Sequence, residues 1–162
     1  MDFKVILKQD SIPEFDPHAI RVQHLELDQK YYSGKKITQS VISRLLQKLP
    51  AGLESLLYLD PNGEDDWMEV LCDGTWIALE YTTSYGGGQS YYSYNPDYAH
   101  MEELSPLVSG GQPIQKYLTL TDLEAGKAAV AYFIRTGRLY PGIDWVTDGM
   151  SEGADKKEEI FL

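Results

Sequence analysis

Trp67-Met68-Glu69-Val70-Leu71-Cys72-Asp73-Gly74-Thr75-Trp76-Ile77-Ala78-Leu79-Glu80-Tyr81-Thr82 is two runs of strand-favouring residues joined by Asp73-Gly74. Asp-Gly suits a two-residue type I′ turn, because both central residues then need positive φ. That turn sets Cys72 opposite Thr75, Leu71 opposite Trp76, Val70 opposite Ile77, Glu69 opposite Ala78, Met68 opposite Leu79 and Trp67 opposite Glu80. Strand side chains alternate between faces, so Met68, Val70, Ile77 and Leu79 form a core side. Trp67, Glu69, Leu71, Trp76 and Glu80 form the other, amphiphilic side. A hairpin that is apolar on one side needs further elements to cover that side.

Outward from the hairpin, Leu53 to Leu59 reads as the preceding strand, closed by the turn signal Asp60-Pro61-Asn62-Gly63. Phe3 to Lys8 and His18 to Leu27 read as two earlier strands. Thr38 caps a helix through Lys48 with Val41, Leu45, Leu46 and Leu49 as its apolar stripe, and Pro50 and Gly52 stop it. Tyr91 to Tyr94 is a short strand, Pro106 through Pro113 a loop, and Ile114 to Leu120 another strand. Thr121-Asp122-Leu123-Glu124 is a capping box that opens a second helix, ended by Gly137 beyond Thr136. Leu123, Gly126, Ala129, Val130, Phe133 and Ile134 make its buried side, and a last strand spans Ile143 to Val146. About eight strands and two helices without βαβ alternation predict an α+β fold, a mostly antiparallel sheet with the helices on one face. Residues 1–162 are expected to form one domain with a loose tail beyond Asp148.

The 162 residues are 43% apolar and 24% charged, enough to close a core and too apolar for wholesale disorder. No apolar run approaches the roughly 18 residues that a spanning helix requires. The start lacks a secretory h-region, and the single Cys72 excludes an internal disulfide framework, so a cytoplasmic location is expected. Fourteen Lys and Arg against twenty-five Asp and Glu leave a charge of −11, which repels phosphate backbones and anionic lipid. Neither nucleic acid nor a membrane is an expected partner; a basic protein is. The deficit is local: between Lys48 and Lys116 there is no Lys or Arg, whereas Glu54, Asp60, Glu64, Asp65, Asp66, Glu69, Asp73, Glu80, Asp97, Glu102 and Glu103 all fall there. Unbalanced like charge raises self-repulsion, a cost that a docked basic partner would offset. Tyr81, Tyr85, Tyr91, Tyr92, Tyr94 and Tyr98 crowd the same region around Gly86-Gly87-Gly88. A Tyr, Ser, Gly and Asn mixture is what binding loops favour, although about half of such strand tyrosines should pack inward.

Chemical motifs are sparse. Gly86-Gly87-Gly88 lacks the P-loop lysine and leads into a strand, so it reads as a hairpin tip. Cys72 lies on the core side among acids, which disfavours a thiolate nucleophile, and His18, His24 and His100 lack metal-ligand spacing. No cofactor, metal site or catalytic triad is expected. The one enzymatic alternative is Glu69 with Glu80, which the two-residue turn makes diagonal neighbours roughly 7–8 Å apart at the backbone, within range for inverting glycoside hydrolysis.

Ala125, Ala129, Phe133, Thr136-Gly137, Pro141 and Trp145 form a closing pattern of helix, Gly stop, Pro and Trp. This pattern, with the Tyr-rich strand, loop and proline before it, resembles the end of a family of bacterial immunity proteins: the first-numbered one of polymorphic toxin systems, associated with deaminase toxins. The likeness spans residues 53–146. It implies a non-enzymatic protein that neutralises a cognate toxin domain by binding it. A nucleic-acid-targeting toxin, a deaminase or nuclease, carries a basic groove that an acidic, ring-bearing surface can occupy. The expected partner surface is Glu64, Asp65, Asp66, Trp67, Glu69, Trp76, Glu80, Tyr85, Tyr91 and Tyr92. A small carbohydrate-active enzyme and an acidic regulatory or scaffold protein are the alternatives.

Overall fold

The computed structural model describes residues 4–83, 88–99 and 101–147. The fold is α+β. Its strands are β1 (Lys4–Ile6), β2 (His24–Leu27), β3 (Lys30–Ser33), β4 (Leu53–Tyr58), β5 (Trp67–Cys72), β6 (Ile77–Thr83), β7 (Gln89–Ser93), β8 (Leu104–Ser109), β9 (Gln112–Gln115) and β10 (Trp145–Thr147). Its α-helices are α1 (Gln39–Lys48) and α2 (Leu123–Thr136). Eight strands join in one antiparallel sheet in the order β1-β10-β7-β6-β5-β4-β2-β3, and β8 and β9 form a separate two-stranded hairpin.

Both helices cover one face. From α1, Val41, Ile42 and Leu45 are buried, and from α2, Ala129, Val130, Phe133 and Ile134. They meet Leu25, Leu57, Met68, Val70, Ile77 and Leu79 of the sheet in a single cluster. Thr38 caps α1 by accepting from the Val41 amide at 3.3 Å. The N-cap of α2 is Asp122, whose Oδ1 accepts from the Ala125 amide at 3.1 Å, in place of the expected Thr121 box. Gly137 ends α2 in the left-handed region at φ 72°, where a Cβ is unfavourable. Gly126 permits a close approach to the sheet: a Cβ there would stand 2.8 Å from both Cδ1 and Cγ2 of Ile77. Trp145 is fully buried, with its indole donating to the Tyr140 carbonyl at 2.8 Å.

The decisive hairpin has the expected faces but a different register. Leu71 pairs with Ala78, Val70 with Leu79, Glu69 with Glu80 and Trp67 with Thr82. Asp73 is the cause. Its carboxylate accepts from the amides of Thr75 and Trp76 at 2.9 and 2.8 Å, so the turn takes four residues rather than two. The slip of two residues preserves which side chains face the core, and hydrophobic alternation cannot detect it. A second difference is the stretch expected as a loop: β8 and β9 form a hairpin across Gly110-Gly111, both at positive φ. Its inner side, through Leu107, packs on Leu71 and Ala78 with Trp76 and Ile114 alongside. The strand expected from His18 begins only at His24, and β3 follows through Asp28 and Gln29, both at positive φ. The expected loose tail beyond Asp148 lies outside the described residues, as do Tyr85 and His100.

Candidate functional site

The sheet face turned away from the helices, hereafter the open face, carries two transverse rows of side chains. One runs Ser33, His24, Tyr58, Trp67, Thr82 and Ser90 across β3, β2, β4, β5, β6 and β7. The other runs Tyr31, Glu26, Leu56, Glu69, Glu80 and Tyr92 across the same strands. Neither row contains a Lys or Arg.

Rings from both rows form a ladder. Centroids lie 6.0 Å apart from Tyr31 to His24, 5.5 Å from His24 to Tyr58 and 6.0 Å from Tyr58 to Trp67. Tyr31 is 67% exposed, while His24, Tyr58 and Trp67 are half-buried. The His24 Nδ1 is 2.6 Å from Ser33 Oγ, which fixes the ring across the strand pair. Burial first, then the carboxylates of Glu26, Asp60 and Glu69, push the Tyr58 phenol above its ordinary value. The rings therefore stand among negative charges.

The β4–β5 connection adds more. Asp60 organises it by accepting from the amides of Glu64 at 3.0 Å and Asp65 at 2.9 Å. Burial works to raise the Asp60 carboxyl, but amide donors from Glu64, Asp65, Asp60 and Asn62 outweigh it and hold the group below its ordinary range. Gly63 lies against the His24 ring, where a Cβ would be 2.7 Å from Cδ2, so this acidic loop packs against the ladder at His24. At its other end, Asp66 accepts from Thr83 Oγ1 at 2.7 Å.

Glu69 and Glu80 are direct cross-strand partners rather than diagonal neighbours. Ser109 of the β8–β9 hairpin donates to Glu69 Oε1 at 2.6 Å, and Thr82 donates to Glu80 Oε2 at 3.3 Å. Burial, then the charge of Glu69, raises the Glu80 carboxyl above its ordinary value, against the smaller opposing effect of Thr82. Above the pair is a cavity of about 200 Å³ between the sheet and the hairpin, lined also by Tyr92, Gln112, Pro113, Ile114, Gln115 and Leu118.

Of the expected surface residues, the fold brings Glu64, Asp65, Asp66, Trp67, Glu69, Glu80 and Tyr92 to the open face or the loop beside it. Tyr91 is a correction: it alternates to the helix side, is 4% exposed and stacks on Tyr81 at 6.3 Å. Trp76 is also displaced. The four-residue turn carries it to the far end of the hairpin, against Tyr98 at 5.7 Å and under Lys116 Nζ at 5.4 Å. Its ring is engaged by a cation of its own chain. The acidic stretch is likewise divided, since Asp73 holds that far turn and Glu103 pairs with Lys116 at 2.8 Å.

Sequence reasoning missed Tyr31, His24, Glu26 and Tyr58, which come from strands distant in the chain from the Tyr-rich segment, and Asp60, counted in the acidic stretch and the turn but not in the partner surface. Burial, with Asp73 nearby, raises the Cys72 thiol, whose side chain belongs to the main core. Among the described residues no group of three or more His, Cys, Asp or Glu could hold a metal ion, and no helix is long and apolar enough to cross a membrane. Comparison of the chain with protein families, curated proteins and solved structures finds no match.

Proposed function

We propose that this protein is a binding module of the immunity type, which neutralises a cognate toxin domain by laying its open face over a basic active site or nucleic-acid groove. The observation that carries this reading is the ladder Tyr31, His24, Tyr58 and Trp67 set among Glu26, Asp60, Glu69 and Glu80, with no Lys or Arg in either row. Charge of one sign on a surface steers an oppositely charged partner and raises the encounter rate. Half-buried rings supply the large, stiff contact area that carries most of the energy at protein interfaces. The resemblance of residues 123–145 to the closing pattern of deaminase-associated immunity proteins points the same way. The cell compartment consistent with this role is the cytoplasm, where a toxin made by the same cell would be met.

A second reading, glycoside chemistry by Glu69 and Glu80, draws on the direct opposition of the two groups and the raised Glu80. The cavity above them, about 200 Å³, is below the roughly 300–1,000 Å³ of most small-molecule sites and suits one side chain better than a sugar chain.

The test is co-expression with a candidate toxin domain taken from the gene neighbourhood of this chain. Rescue of growth by the wild type, and its loss in Tyr58→Ala/Trp67→Ala with the fold intact by circular dichroism, is the expected result. Unrelieved growth arrest with no isolable complex refutes the reading, and hydrolysis of a glycoside panel that Glu69→Gln abolishes replaces it with the second.

A further inference from the structure

Like charges directly opposite one another across two strands are destabilising. Proteins usually relieve such a pair with a nearby cation, but here the ion pairs among the described residues are elsewhere: Lys48 with Asp28, and Lys116 with Glu103. What stands over Glu69 and Glu80 is the cavity beneath the β8–β9 hairpin. Its lining combines the two glutamates of the sheet with the apolar residues Ile114 and Leu118 and the polar residues Ser109, Gln112 and Gln115. A cavity that offers both apolar residues and two carboxylates suits a side chain with a methylene stem and a cationic head.

Resting on the reading of the open face as the partner surface, we propose that this cavity is a socket for one arginine side chain of the partner, its guanidinium seated between Glu69 and Glu80. Shape and charge select that head group. A guanidinium is planar, carries five donors in a fixed fork and sheds water more readily than an ammonium. Ser109 engages Oε1 of Glu69 and Thr82 engages Oε2 of Glu80. Among the described residues the second oxygen of each carboxylate has no other hydrogen-bond donor, so a fork can reach one oxygen on each strand. Trp67 precedes Glu69 by two residues on the same face, so the ring ladder leads to the socket. A segment lying along the ladder can therefore deliver the arginine without leaving the face. Ser109 makes the hairpin part of the site, since its hydroxyl ties the hairpin to Glu69 at 2.6 Å.

The experiment uses the full chain and three capped single amino acids: N-acetyl-arginine methylamide and its lysine and citrulline counterparts. Citrulline has the shape of arginine without the charge. Amide shifts in two-dimensional NMR are followed during titration. Expected are shifts focused on residues 67–70, 79–82 and 107–115, an arginine affinity about tenfold above that of lysine, and no saturable response to citrulline. Glu69→Gln/Glu80→Gln should abolish the arginine response, whereas Asp10→Asn/Glu14→Gln, which removes the same charge from an exposed distant segment, should leave it intact. Shifts scattered over the acidic surface, equal responses to arginine and lysine, or an unaltered response in Glu69→Gln/Glu80→Gln overturn the socket. Should Glu80→Gln alone refold and still bind a toxin domain with wild-type affinity while Trp67→Ala does not, the socket fails and the docking face stands. Arginine seating in the socket with no toxin domain bound is the converse: the socket stands and the immunity reading fails.

Discussion

Replacing Glu80 by Gln should stabilise the isolated protein at neutral pH. Glutamine is nearly isosteric, keeps a carbonyl oxygen for Thr82, and removes one of two charges held at the same cross-strand position. Opposed like charges cost about 0.2–1 kcal/mol in a sheet. Half-burial of Glu80 adds to that cost, so a gain near the top of the range, about 1 kcal/mol, is expected. For a domain of this size the gain corresponds to roughly 2–4 °C in Tm. The pH dependence has a definite sign. The Glu80 carboxyl is raised on folding, so the native state binds the proton more readily than the unfolded chain. Its contribution is fully favourable below the ordinary value of 4.5 and is lost as pH rises through the raised folded value. Urea titrations at pH 4 and pH 7.5 should therefore show the Gln variant gaining relative to wild type only at the higher pH. Glu69→Gln should gain less, because Ser109 already donates to that carboxylate. A Glu80→Gln protein that is less stable at pH 7.5, or whose advantage is independent of pH, would refute the uncompensated pair.

Gly126→Ala should destabilise by about 1–2 kcal/mol in urea titration, because overpacking against the fully buried Ile77 exceeds the ~1 kcal/mol gain in helix propensity. Asp60→Ala should cost about 1 kcal/mol through the two lost amide bonds, and hydrogen exchange at Glu64 and Asp65 should speed up. The Asp60 carboxyl is lowered on folding, so its contribution is present above its ordinary value of 3.8 and fades as pH falls through the lower folded value; acid titration of wild type against Asp60→Asn checks this. Glu64→Gln/Asp65→Asn/Asp66→Asn should slow association with a basic partner and flatten its salt dependence, measured by stopped flow. The third substitution keeps a side-chain oxygen that can accept from Thr83, so the loop retains that tie. An unchanged on-rate would count against electrostatic docking at that loop.

The elements most legible in the chain were those whose signals are local. Thr38, Pro50 and Gly52 bound α1, Gly137 ends α2, and the alternation of Met68, Val70, Ile77 and Leu79 marks a core face. Two hairpins escaped for different reasons. The β2–β3 turn places Asp28 and Gln29 at φ 48° and 72° without the glycine that normally announces such a turn. Between β8 and β9, Gly110-Gly111 was an available signal, masked by Pro106 and Pro113, which an isolated two-stranded hairpin tolerates at its edges.

Sequence by itself determined the α+β class, the side each residue of the central hairpin presents and the local deficit of cations, because these depend on periodicity, caps and composition. Only the tertiary structure decided which residues meet. The Asp73 side chain chose a four-residue turn, and that choice made Glu69 and Glu80 face one another and moved Trp76 away from Trp67. Strand order then brought Tyr31 and His24 from the first quarter of the chain beside Tyr58 and Trp67. Register and strand order arise from contacts between segments far apart in the chain, and a slip of two residues leaves every hydrophobic face unchanged, so no pattern within one strand records them.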